Sequence, residues 1–97
     1  VSIFAKWIGK HVVVRTFSAG VHIGTLAEAE GPAVVITNAR RIWKWGGAFT
    51  LSEIAINGLK PSESRLALPV PEILLTQAVE LIPTTAAARR SFDATHE

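Results

Sequence analysis

The chain has 97 residues, enough for one small domain (residues 1–97) with one modest core and too short for two. It is 48% hydrophobic and 19% charged, with a mean hydropathy of +0.31; this is more apolar than a monomer of this size can hide, and it points to contacts between subunits. The net charge is +2, and cysteine is absent, which excludes disulfides, thiolate metal sites and a cysteine nucleophile and suits an intracellular, cytoplasmic protein. No apolar run approaches the ~20 residues of a membrane-spanning helix, and the opening VSIFAKWIGK lacks the apolar stretch of a secretory signal.

The β-branched run ending in VVVRTF predicts a first strand within 7–17, closed by a turn at Ser18-Ala19-Gly20. Val21–Ala29 returns as a second strand, Glu30-Gly31-Pro32 turns again, and a third strand starts at Ala33 and runs through Arg41 towards Trp45. Short turns between three successive strands make an antiparallel meander. Gly46-Gly47-Ala48 ends the third strand. Thr50 with Glu53 has the spacing of a capping box ahead of a two-turn helix, which Gly58 closes. Lys60–Ser64 reads as a polar loop. Arg65–Val70 and Ile73–Ile82 supply two further extended segments, broken by Pro69 and Pro71. Thr84 or Thr85 caps a short C-terminal helix over 86–92. The expected fold class is α+β: a small curved antiparallel sheet of about five strands, one short helix after the third strand and one at the C-terminus.

The third strand carries the most unusual chemistry. Asn38, Arg40, Arg41, Trp43, Lys44 and Trp45 crowd together beside a glycine pair. Indole faces stack on bases, guanidinium forks match phosphate oxygens and an Asn amide reads a purine edge, so these residue types suit a nucleotide or nucleic acid. In a regular strand, Arg41, Trp43 and Trp45 share a face with Thr37, while Asn38, Arg40, Ile42 and Lys44 share the other; a bulge near Arg40 would re-sort them. Trp in a small sheet also serves as core or interface, and exposed arginines are common, so the structural reading stands beside the ligand reading. A second cluster, Arg15 to His22, places a hydroxyl and backbone amides at a tight turn that suits a phosphate or, equally, an ordinary hairpin.

Catalysis has little to build on. Ser18 and His22 lack an acid at triad spacing, His11, His22 and His96 show no metal-ligand grouping, and no phosphate-loop or dinucleotide glycine motif occurs. A non-enzymatic protein with no cofactor and no metal is expected.

The strings VVVRTFSAGVHIGTL, NARRIWKWGGAFTLSEIAINGLK and VPEILLTQAVELIP resemble a family of small proteins carried by bacteriophages and prophages. Its members share an R-T-x-S-A-G-V-x-x-G-x-L start, an N-A-R-R-[IL]-W-x-W-x-G-A centre and a closing strand ending in I-P. Small phage proteins of this build are similar in style to the oligomeric sponges that act against the CBASS and Thoeris defence systems. The resemblance therefore implies a homo-oligomer that sequesters a cyclic oligonucleotide or cyclic ADP-ribose type signal between subunits, without chemistry, in the host cytoplasm. On that reading residue chemistry assigns Arg15, Arg40 and Arg41 to phosphates, Trp43 or Trp45 to base stacking, and Asn38, Ser18 and His22 to polar contacts. Two alternatives stay open: a single-stranded nucleic-acid-binding accessory protein, and an interaction module of a phage complex with the Arg/Trp segment as its hot spot.

Overall fold

Val12, Val13 and Val14 are all fully buried, so both faces of the strand that holds them are covered. In the computed structural model, which describes residues 3–97, that strand is β1 (His11–Thr16), followed by β2 (Val21–Glu30) and β3 (Ala33–Lys44). Then come α1 (Leu51–Asn57), β4 (Arg65–Leu66), β5 (Val70–Leu75), β6 (Ala78–Pro83) and α2 (Ala86–Asp93), with 3-10 turns at Ile3–Lys6 and Pro61–Glu63. The class is α+β as expected, and the meander and both helices lie close to where the sequence places them, with α2 reaching Asp93 rather than ending at 92. Among the described residues the sheet has six strands rather than about five. The break that separates β5 from β6 falls at Thr76-Gln77, not at a proline, and Pro71 lies within β5. A proline is tolerated there because, among the described residues, β5 pairs only with β3 and its other side is a free edge.

Pairing and chain length together force the sheet to curl. Every ladder is antiparallel, and one path through the sheet runs β5-β3-β2-β1-β6. Four spacings of ~4.8 Å would put β5 about 19 Å from β6 in a flat sheet. Yet Thr76 and Gln77 alone connect them, and three Cα steps reach about 11 Å. The sheet therefore rolls towards a barrel, which stays open because β5 and β6 do not pair with each other. Gly24 sits in the tightest part of the roll: a Cβ there would lie 2.8 Å from the Thr37 carbonyl oxygen and 3.2 Å from Ile36 Cβ.

Both sides of the curl are filled, which corrects the expectation of a single core. Inside lie Val12, Val14, Leu26, Val34, Ile36 and Leu75. Outside, Val13, Ile23, Ile42 and Leu66 pack against Ile54 and Ala55 of α1 and Ala88 and Phe92 of α2. The helices are held locally as the sequence predicts. Thr50 Oγ1 accepts the Glu53 N–H at 3.1 Å, and Glu53 Oε2 accepts the Phe49 N–H at 3.1 Å. Thr85 Oγ1 caps α2 through the Ala88 N–H. Among the described residues no helix is long and apolar enough to cross a membrane.

Candidate functional site

The sorting of side chains along β3 decides what the Arg/Trp segment can do, and β3 is not regular. Between the pairs Ile23↔Arg40 and Thr25↔Thr37, β2 advances two residues and β3 three. The extra residue is accommodated at Asn38, whose φ is 48°; Asn is among the few non-glycine residues that enter this left-handed region readily. The consequence is a change of face. Val34, Ile36 and Ala39 all point into the curl, so Thr37 no longer shares a face with Arg41, as a regular strand would require. Beyond the bulge Ile42 belongs to the outer cluster, which leaves Arg40 outside and sends Arg41 to the inner side; at Trp43 the ladder shifts again, β3 advancing two residues from Ile42 to Lys44 while β4 advances one.

Arg40 and Arg41 thus serve opposite faces. Arg40 donates Nε to the Ala67 carbonyl at 2.8 Å, Nη1 to that of Phe92 at 3.3 Å and Nη2 to that of Leu66 at 3.4 Å. Its charge is spent tying β4, the loop after it and the end of α2 to β3. Arg41 is exposed, and among the described residues its guanidinium has no hydrogen-bond or carboxylate partner.

Arg41 stands at the mouth of the curl, over the turn between β1 and β2. Its Nε lies 3.9 Å from where a Cβ on Gly20 would sit, and His22 is its ladder partner. The turn beneath is tightly wired: Thr16 Oγ1 donates to the Gly20 carbonyl at 2.7 Å and accepts the Ala19 N–H at 2.8 Å. Ser18 Oγ donates to Gln77 Oε1 at 2.9 Å, and Gln77 O accepts the Phe17 N–H at 2.9 Å. His22 is 1% exposed and its Nε2–H donates to the Ala19 carbonyl at 2.9 Å, which leaves Nδ1 buried without a partner. Burial, more than the nearby Arg41 charge, lowers the His22 pKa below its ordinary value, and the Ala19 bond opposes the shift.

Of the eight residues singled out from sequence, the fold brings Ser18 and Arg41 to one mouth, and Trp43 follows Arg41 by two positions on β3. Arg15 follows the inward Val14 on β1 and so leaves by the outer face, where it pairs with Glu80, 3.6 Å away. His22 lies beneath the mouth rather than in it. Asn38 and Arg40 line a cleft on the outer side instead. A further register shift between Ile42 and Lys44 breaks the alternation before Trp45, so Trp45, 39% exposed, does not join Trp43 through the ladder as a regular strand would have it. Thr16 and Gln77, which hold the turn, were missed by sequence reasoning, as were Lys10, His11 and Arg89 on the outer side. The separations explain this, since Ser18 and Gln77 lie 59 positions apart. Among the described residues no group of three or more His, Cys, Asp or Glu is placed to hold a metal ion.

Fold and site together define a small curled antiparallel sheet with helices on its outer face and, at its mouth, a cation that has no partner among the described residues, two positions from an exposed tryptophan. Residues 9–92 match the family described as a domain of unknown function, DUF6948, and the chain belongs to that family. Neither a curated protein nor a solved structure matches it.

Proposed function

We propose that the protein is a non-catalytic binder of a small phosphate-bearing nucleotide, which docks on Arg41 and Trp43 at the mouth of the curl and is covered there by a second copy of the chain. The observation that carries this reading is the guanidinium of Arg41, without a partner among the described residues, two positions from Trp43, which is 55% exposed. An unpaired arginine grips phosphate oxygens and a neighbouring open indole stacks a base. The Ser18 hydroxyl in the underlying turn adds a polar contact. Phe17, 79% exposed beside the turn, and Leu68, 64% exposed next to the residue that hydrogen-bonds the Arg41 carbonyl, give a second copy apolar surface to cover. In the phage setting that the sequence resemblance implies, the ligand class is a cyclic oligonucleotide or cyclic ADP-ribose type signal, and the activity is sequestration in the host cytoplasm.

The test combines thermal shift and native mass with a panel of cyclic di- and trinucleotides, cyclic ADP-ribose isomers and a short single-stranded oligonucleotide. One small nucleotide is expected to raise the melting temperature saturably and to be recovered intact after heating. Arg41→Ala and Trp43→Ala should abolish the shift while the native mass of the assembly stays the same. If neither nucleotide nor oligonucleotide shifts an assembled protein, and the same substitutions dissolve the oligomer, the segment is an interaction hot spot instead. Affinity that grows with strand length and falls steeply with salt would replace this reading by single-strand binding.

A further inference from the structure

The outer face carries a cleft that the nucleotide reading does not use. It opens between β1, β2, the β3 bulge and α2, and its two parts share His11, Thr25 and Arg89. The part of ≈ 550 Å³ extends to Lys10 and Thr84, and the part of ≈ 440 Å³ extends to Asn38, Arg40 and Asp93. Three cations therefore line the cleft against one carboxylate. Among the described residues neither Lys10 nor Arg89 forms an ion pair, and Asp93 lies within ion-pair distance of neither. The Lys10 ammonium has the Trp7 ring beneath it, 4.9 Å from the centroid.

The donors are fixed in place. Thr84 Oγ1 has one hydrogen, which it gives to the His11 carbonyl at 3.1 Å. The His11 Nδ1 found 2.7 Å from that hydroxyl is then the donor, and Arg89 Nη1 donates to the same oxygen at 3.4 Å and to the Thr84 carbonyl at 2.9 Å. Phe92 stacks on the imidazole, with centroids 6.0 Å apart, and sets the ring plane. Wired this way, Arg89 keeps Nε and Nη2, and His11 keeps Nε2, without protein partners among the described residues. The Thr25 hydroxyl joins them from β2.

We propose that this cleft binds a phosphate dianion, free or as a phosphomonoester, with Arg89 and Lys10 supplying the charge and the Thr25 hydroxyl orienting the oxygens. Donors converging from Lys10, from Thr25 on β2 and from Arg89 on α2 match a tetrahedral group of acceptors better than a flat carboxylate. The concave shape and the single Asp93 favour a small ligand over a nucleic-acid backbone. The site lies across the sheet from Arg41, so it stands whether or not a nucleotide binds at the mouth.

The experiment is a calorimetric titration of the full chain with inorganic phosphate and, separately, with methyl phosphate, in chloride buffer of constant ionic strength. Saturable binding at millimolar concentration or below is expected for at least one of them. Preference for inorganic phosphate names the free anion, and preference for methyl phosphate names a phosphomonoester. Arg89→Gln should weaken binding about tenfold or more. Asp93→Asn should tighten it severalfold, while Arg90→Gln, an equal loss of charge on the same helix, should leave it unchanged. Because Arg89 also braces Thr84, Lys10→Gln at the exposed rim supplies a second loss-of-affinity variant without that structural role. Absence of saturable binding by either anion, or affinity indifferent to both Arg89→Gln and Lys10→Gln, overturns the proposal.

Discussion

The mouth of the curl and the cleft on its outer face meet at two adjacent arginines, and the contrast between them is instructive. Arg40 turns outward, is half-buried and gives three nitrogens to three main-chain carbonyls. Arg41 turns to the inner side and gives its guanidinium to nothing among the described residues. A basic doublet on a strand is thus two separate charges with separate roles, because successive side chains leave by opposite faces. The bulge at Asn38 determines which arginine goes where: without its extra residue, Arg41 would follow Thr37 to the outer side.

The largest expected effect tests this division directly. Arg40→Ala strips the carbonyls of Leu66, Ala67 and Phe92 of a partner and should lower stability by roughly 2–4 kcal/mol in urea unfolding. Arg41→Ala, at an exposed and unbonded position, should stay within about 0.5 kcal/mol of the parent. Arg40→Lys should rescue little, because a single ammonium cannot span three carbonyls that a planar fork reaches. Equal losses from the two alanine variants would show that the arginines are interchangeable and that the two faces are not distinct.

A smaller loss is expected at Gly24, opposite the bulge. Placing a methyl group 2.8 Å from the Thr37 oxygen demands a shift of backbone rather than of a flexible side chain, at a cost of about 1–3 kcal/mol. Since the bulge separates the two faces, Gly24→Ala should also perturb both arginines, visible as chemical-shift changes at Arg40 and Arg41 together. Normal stability with shifts confined to β2 would mean that the bulge tolerates remodelling and does not set the sorting.

The parts of this architecture legible from sequence are those with local causes. The β-branched run of β1, the turns at Ser18-Ala19-Gly20 and Glu30-Gly31-Pro32, and the caps at Thr50 and Thr85 each rest on a few neighbouring residues. The boundary between β5 and β6 has no such marker. Thr76-Gln77 contains neither Gly nor Pro, whereas the conspicuous Pro71 is harmless on a free edge, so prolines were a poor guide there. The curl follows from pairings such as Val34↔Leu75 and Val14↔Leu81, between segments that no sequence window joins. The candidate site divides in the same way. Exposed Arg41 and Trp43 were recognisable from their chemistry, but the structural use of Arg40 depends on carbonyls 26 to 52 positions away. The outer cleft rests on His11 and Thr84, 73 positions apart.

The smallest effect expected is a change in how stability depends on pH, and it separates the two regions by sign. Burial is the main cause that lowers both histidine pKa values in the folded chain. The unfolded chain therefore binds more protons over part of the acidic range. Stability should be full above the ordinary histidine value of 6.5, decline as pH falls through the lowered folded values, and level off once both states are protonated. Charges at the two sites bear on this slope in opposite ways. Arg41 helps to lower the His22 pKa, so Arg41→Ala should make the decline shallower. Asp93 works to raise the His11 pKa against burial and Arg89, so Asp93→Asn should make it steeper. Urea midpoints across roughly pH 5–7, with NMR titration of the two imidazoles, read both changes. If the two variants move the slope in the same direction, the histidines do not report separately on the mouth and the cleft, and the electrostatic distinction between the faces fails.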